Sequence, residues 1–214
     1  MSLKPEIQGA SIVVRGSFNP KIYQPMWFQK YDLIREEEAE NAEIKIIHNE
    51  VTDISFGRFK LLALHDRFVI STTDASFFEP IRDLTLSTFS ILEHTPVTAI
   101  GLNLMMHYKL ASKERLESFF TLIALTEIWS SIIKDPQLTS LTITDIKSDE
   151  PQARLNLKIE PSKRVENGIY FEANNHYGIE NNNIQMMFEI LRDSWSDNIK
   201  SLNHVVESLL SLKY

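Results

Sequence analysis

The chain has 214 residues, a formal net charge of −7 and no cysteine. Without cysteine it can form no disulfide, thiolate nucleophile, or Cys-based zinc or iron–sulfur site. The acidic balance argues against general binding to nucleic acid or to anionic membranes, which requires a cationic surface. Hydrophobic residues make up 43% and charged residues 24%, a composition typical of globular domains.

The chain also lacks the features of secreted and membrane proteins. Its start, MSLKPEIQGA, has no apolar stretch resembling a secretory signal. No segment reaches the roughly 20 apolar residues that a membrane-spanning helix needs. We therefore expect a cytoplasmic protein with no membrane partner.

The first half predicts a strand, a helix, three strands and a second helix. β-Branched residues favour a strand over 11–17, and the aromatic spacing after Pro25 predicts a helix over 25–41. Turn residues divide the next segment into strands 43–56, 58–64 and 67–72. Ser76 and Glu79 then form a possible capping box for the second helix.

The second half repeats this order. Alternating apolar residues predict a strand over 97–110, and Ser112 is a candidate N-cap for the helix that follows. That helix carries an apolar stripe of Leu116, Phe119, Phe120, Ile123, Trp129 and Ile133. Strands are predicted over 138–146, 153–160 and 168–174, and three- and four-residue spacing predicts a long helix over 184–209. Its apolar stripe suits packing across the sheet, with length left over for a dimer or partner contact.

These elements predict an α+β fold made of two β-α-β-β-β-α units, at about 9–94 and 95–214. No Gly/Ser/Pro-rich linker separates the units. We expect a single domain in which one antiparallel sheet is backed by long helices.

One short motif has a functional resemblance. Gly16-Ser17-Phe18-Asn19-Pro20 follows a strand and resembles the phosphate-handling loop of the nucleotidyltransferase α/β class. The histidine pair that continues the loop in that class is absent here, because the chain continues Lys21-Ile22-Tyr23-Gln24-Pro25. The motif is better interpreted as a turn between strand and helix. By the same reasoning, His65-Asp66 is interpreted as a hairpin turn and not as a metal-binding dyad.

No other pattern predicts catalysis. The six histidines are scattered singly, and there is no Gly-x-Ser-x-Gly elbow, P-loop or Gly-x-Gly-x-x-Gly turn. The sequence therefore predicts no catalytic residue, no metal and no cofactor, and it favours a protein that is not an enzyme.

The candidate recognition segment is residues 174–183, NNHYGIENNN, which we expect to form a loop before the last helix. Its hydrogen-bonding residues Asn174, His176, Tyr177 and Glu180 are the candidate site. The alternative is structural, because Asn, Gly and His are also common in loops that need left-handed backbone or a helix cap.

The predicted architecture resembles the TATA-binding-protein-like and helix-grip folds, in which a curved sheet is backed by long helices. Trp27-Phe28 and Ile100-Gly101-Leu102-Asn103 resemble features of a sporadically distributed family of uncharacterised bacterial proteins. That resemblance implies a bacterial protein but assigns no activity or site residue.

Three functional hypotheses follow. The first is a non-enzymatic binding or assembly module that acts through a protein partner or self-association. The second is a small-molecule or enzymatic cavity between sheet and helices, lined by side chains such as His107 or His176. The third, a nucleic-acid accessory protein, is least compatible with the acidic composition.

Overall fold

The computed structural model describes residues 4–146 and 153–212, which form nine strands and six helices. The strands are β1 (Ile7–Gly16), β2 (Glu43–Ile47), β3 (Val51–Ser55), β4 (Lys60–Leu64), β5 (Arg67–Thr72), β6 (Val97–Lys109), β7 (Leu141–Ile146), β8 (Ala153–Pro161) and β9 (Gly168–Gly178). The helices are α1 (Pro25–Lys30), α2 (Glu36–Glu40), α3 (Phe78–Ile91), α4 (Lys113–Ala124), α5 (Thr126–Ser130) and α6 (Ile184–Leu210). Short 3₁₀ turns lie at Pro20–Ile22, Ala75–Phe77 and Glu180–Asn182.

All nine strands belong to one antiparallel sheet with the order β2-β3-β4-β5-β1-β6-β9-β8-β7. The two longest pairings join β1 to β6 and β6 to β9 at its centre. On one side of the β1–β6 pairing the order is β1, β5, β4, β3, and on the other side it is β6, β9, β8, β7. This confirms the predicted α+β fold, with one extra strand, β2, in the first half.

The helices cover one face of the sheet. Side chains alternate between faces along each strand, and the set that includes Ile12, Phe68 and Phe171 is fully buried. Phe89 of α3 contacts Phe68 with ring centroids 5.3 Å apart, and Phe119 of α4 contacts Phe171 at 6.4 Å. Each such side chain contributes about 1.5–3 kcal/mol when removed from water. We call this the helix face and the opposite side the open face.

Two predicted elements of the first half were wrong in extent. The helix over 25–41 is two short helices, because Asp32 takes a left-handed conformation with φ of 55° and ends the first one. The strand over 43–56 is the β2–β3 hairpin, closed by a hydrogen bond from the His48 amide to the Val51 carbonyl (2.8 Å). Four strands therefore follow the helices where three were predicted.

One predicted helix boundary is confirmed and two were wrong. Ser112 caps α4 as expected, and its hydroxyl accepts the Arg115 amide at 3.3 Å. The Ser76 capping box was wrong, since Asp74 accepts the Ser76 amide at 3.0 Å and α3 begins at Phe78. The helix after Ser112 also ends early, because Leu125 is left-handed and separates α4 from α5.

The last helix agrees with the prediction. α6 has 27 residues, a length of about 40 Å. Trp195, Leu202 and Val206 are buried along it, so its apolar stripe packs against the core. No helix in the described part of the chain is long and apolar enough to cross a membrane.

Candidate functional site

The predicted recognition loop is mostly strand, which corrects the expectation for Asn174, His176 and Tyr177. β9 continues to Gly178 and stays paired with β6 on one side, and with β8 as far as Tyr177 on the other. These pairings satisfy the backbone groups that a loop would have left free. The prediction failed because the Asn-rich composition was read as a loop, although strand propensity depends strongly on context.

Within β9, alternation sends the candidate residues to different faces. Asn174 and His176 lie on the open face, whereas Tyr177 is buried on the helix face. The Tyr177 hydroxyl accepts a hydrogen bond from the Asn198 amide of α6 at 3.2 Å. Glu180 begins the 3₁₀ turn before α6. The four residues therefore do not form one site.

Asn174 belongs to a row of polar side chains across the open face. The strand register places Asn156, Asn174, Asn103 and Ser11 side by side on β8, β9, β6 and β1. The Asn174 amide donates to the Asn103 carbonyl oxygen, and the Asn103 amide donates to the Ser11 hydroxyl at 3.1 Å. Asn103 and Ser11 are 92 positions apart in sequence, so only the sheet register brings them together.

A second open-face cluster surrounds His107. Its Nδ1 lies 2.8 Å from the Ser162 hydroxyl oxygen. That oxygen accepts hydrogen bonds from the backbone amides of Arg164 (3.1 Å) and Val165 (2.9 Å). Because both lone pairs of Ser162 are engaged, its hydroxyl proton points to a neutral His107. Burial lowers the pKa of His107, and the nearby charge of Arg164 lowers it further.

This geometry does not make Ser162 and His107 a nucleophilic pair. An attacking serine needs a free lone pair, and both are occupied by backbone donors. The neighbouring Tyr170 donates its hydroxyl to Glu172 at 3.0 Å, and burial raises the pKa of Tyr170. The cluster therefore fixes the loop between β8 and β9, and it holds a polar surface in place.

The predicted cavity between sheet and helices does not include its two histidines. His107 and His176 both project to the open face, because their neighbours Met106 and Tyr177 occupy the helix face. Among the described residues, no group of three or more His, Asp or Glu is placed to hold a metal ion.

The segment from Gly16 to Pro20 is a packed turn. The amides of Gly16, Ser17 and Phe18 donate to the carbonyls of Asp66, Pro96 and His65 at 2.9–3.2 Å. A Cβ atom on Gly16 would lie 2.1 Å from the Pro96 carbonyl oxygen, so this position requires glycine. These amides are committed within the fold and cannot cradle a phosphate.

An exposed apolar surface lies on α4, on α5 and on the residues that follow α5. Six large apolar side chains within twelve residues are 39–73% exposed. They are Leu122, Leu125, Ile128, Trp129, Ile132 and Ile133, and we call them the α4–α5 surface. A set of this density is unusual outside an interaction site.

Sequence reasoning missed this surface because it assigned Trp129 and Ile133 to the apolar stripe of one continuous helix. In the structure they are 51% and 53% exposed, since the break at Leu125 ends the helical register on which the stripe depended. A signal was present in Ile128 and Ile132, which lie outside the predicted stripe. A helix apolar around more than one face exceeds what a single core contact needs.

The two edges of the sheet differ in protection. β2 carries Lys45 and a register shift between Ile44 and Ile46, both of which discourage pairing with another strand. β7 pairs with β8 without a shift, and its Ile143 and Ile146 are 52% and 69% exposed. Among the described residues no strand pairs with the outer edge of β7, which is close in sequence to the α4–α5 surface.

Comparisons with known proteins give little similarity. No family model matches the chain, and no curated protein matches it. A search of solved structures found the rolling circle replication initiator protein from Geobacillus stearothermophilus, at 8% identity and a TM-score of 0.32. The match covers 90% of this chain and 80% of that one. A likeness this weak carries no argument about function.

Proposed function

We propose that this protein is a non-enzymatic binding module that works by contacting another protein, or a second copy of itself, through the α4–α5 surface. The observation that supports this most is the group of six exposed apolar side chains within twelve residues. Interaction surfaces are enriched in large apolar and aromatic residues such as Trp129. Covering this surface would remove it from water.

The backbone at Leu125 supports the same proposal. Leu125 is left-handed, with φ of 49°, at the position where helices usually have glycine. Its side chain is 62% exposed, so it adds little to the core. A strained, exposed leucine is explained if the side chain contacts a partner.

The open edge of β7 could extend such a contact. A partner strand added there would satisfy backbone groups that β8 does not reach. The exposed Ile143 and Ile146 would be covered in the same step.

The test is a pair of charge substitutions at equally exposed positions. Ile132→Glu changes the α4–α5 surface, and Met26→Glu changes an exposed apolar residue of α1; the two side chains are 73% and 63% exposed. Light scattering after size exclusion would measure self-association over a range of concentrations. Tagged proteins recovered from the native cell would be compared for bound partners.

We expect Ile132→Glu to abolish self-association or to lose a bound protein, and Met26→Glu to behave as wild type. Similar thermal unfolding of both variants would show that the loss is not a folding defect. The proposal would be contradicted if the wild type is monomeric and if no protein recovered with it is lost in the Ile132→Glu variant.

A further inference from the structure

A cationic groove crosses the open face of the sheet, on the side opposite the helices. Its volume is about 450 Å³, and its floor includes Ser11, Asn103 and Met105 of the central strands. One wall is the β3–β4 turn with Arg58, and the other includes Arg164 of the β8–β9 loop. We call this the open-face groove. Its volume falls within the range of about 300–1,000 Å³ typical of small-molecule sites.

The groove continues into a smaller cavity of about 190 Å³. The two share Met105, Arg164 and Tyr170, and the smaller one adds Lys163 and Glu160. Together they form one concave site, with Arg164 over the junction.

The charges of the groove contrast with the net charge of −7 for the chain. Its four cations are Arg58, Lys60, Lys163 and Arg164, and its two carboxylates are Glu160 and Glu172. Glu160 is already paired with Lys158 at 2.9 Å, and Glu172 accepts the Tyr170 hydroxyl. The site therefore has an excess of positive charge that its own carboxylates do not neutralise.

The groove cations are also unpaired. Within the described residues, no ion pair is formed by Arg58, Lys60, Lys163 or Arg164. Three other open-face cations are ion-paired: Arg15 and Arg67 share Asp66 at 3.0 and 3.4 Å, and Lys45 lies 3.6 Å from Asp53. The groove therefore brings four cations without ion pairs into one concave site.

Contacts within the fold restrict the Arg58 guanidinium and the Arg164 backbone. The Arg58 guanidinium lies 5.1 Å from the centre of the Phe77 ring, a cation–π contact that limits its motion. The Arg164 backbone is fixed by Ser162, which is in turn bonded to buried His107. Guanidinium groups bind phosphate through two parallel hydrogen bonds to its oxygens.

From this geometry we infer that the open-face groove binds a small phosphate-bearing ligand, with Arg58 and Arg164 contacting its anionic oxygens from opposite walls. A long polyanion fits less well, because the chain as a whole is acidic. The site lies on the other side of the sheet from α4, so it is separate from the proposed protein contact.

The experiment uses pyrophosphate as the probe, with sulfate at equal ionic strength as the comparison. Binding would be measured by calorimetry and by thermal shift for wild type, Arg58→Gln, Arg164→Gln and Arg154→Gln. Arg154 is a matched control, since it lies on the open face of β8 outside the groove. A single-stranded oligonucleotide is titrated in parallel.

We expect wild type to bind pyrophosphate more tightly than sulfate. Arg58→Gln and Arg164→Gln should each weaken that binding about tenfold or more, because each removes charge-assisted hydrogen bonds, and Arg154→Gln should leave it unchanged. No pyrophosphate binding at millimolar concentration would overturn the inference. So would equal effects of all three substitutions, or binding of the oligonucleotide alone.

Discussion

Leu125 offers a direct test of backbone strain at the α4–α5 break. Left-handed backbone costs a non-glycine residue about 1–2 kcal/mol, and glycine removes this cost while losing about 0.5–1 kcal/mol through its greater freedom in the unfolded chain. Leu125→Gly should therefore be about 0–1.5 kcal/mol more stable than Leu125→Ala, which keeps the strain. Because the leucine is 62% exposed, both variants lose at most about 1 kcal/mol of burial.

Urea unfolding of the two variants would measure this difference. A gap of about 1 kcal/mol corresponds to roughly 2–4 °C in melting temperature for a chain of this size. Both variants should also weaken any association through the α4–α5 surface, because both remove the side chain. If Leu125→Ala is more stable than Leu125→Gly, the residue is not held in a strained conformation and the argument from strain fails.

Two further predictions concern residues that the sequence suggested as functional. Tyr177→Phe should lower the free energy of unfolding by about 1–3 kcal/mol, because it leaves the buried Asn198 amide without the Tyr177 hydroxyl. Unchanged urea unfolding would contradict that structural role. The pKa of His107 is lowered in the folded protein, so the unfolded chain binds a proton more readily. The contribution of neutral His107 to the free energy of unfolding should therefore be fully present above about pH 6.5 and fall as the pH decreases. Urea midpoints at pH 7.5 and 5.5 should show a smaller fall for His107→Gln than for wild type, and equal falls would refute this.

Much of the fold could be predicted because local patterns determine it. The alternation along β6 and the apolar spacing of α6 each specify one buried face, and Ser112 supplies a recognisable cap. The errors arose where a single residue interrupts a pattern. Asp32 and Leu125 adopt left-handed backbone without being glycine. Aspartate visits this region only occasionally and leucine rarely, so neither residue type is a strong signal for a helix end.

The candidate sites were harder to predict because they depend on register. Arg58 and Arg164 line one groove although more than a hundred positions separate them, and only the pairing of β5, β1, β6 and β9 brings them together. A shift of one residue in the β1–β6 or β6–β9 pairing would move Asn103 or Asn174 to the helix face.

The same register explains why the predicted recognition residues separated. Asn174 and Tyr177 are three positions apart, an odd number, so a strand places them on opposite faces where a loop could have joined them. Tyr177 then finds Asn198 and becomes part of the core, while Asn174 joins the polar row beside the open-face groove. Composition identified a segment rich in hydrogen-bonding groups, but secondary structure decided which of those groups a ligand could reach.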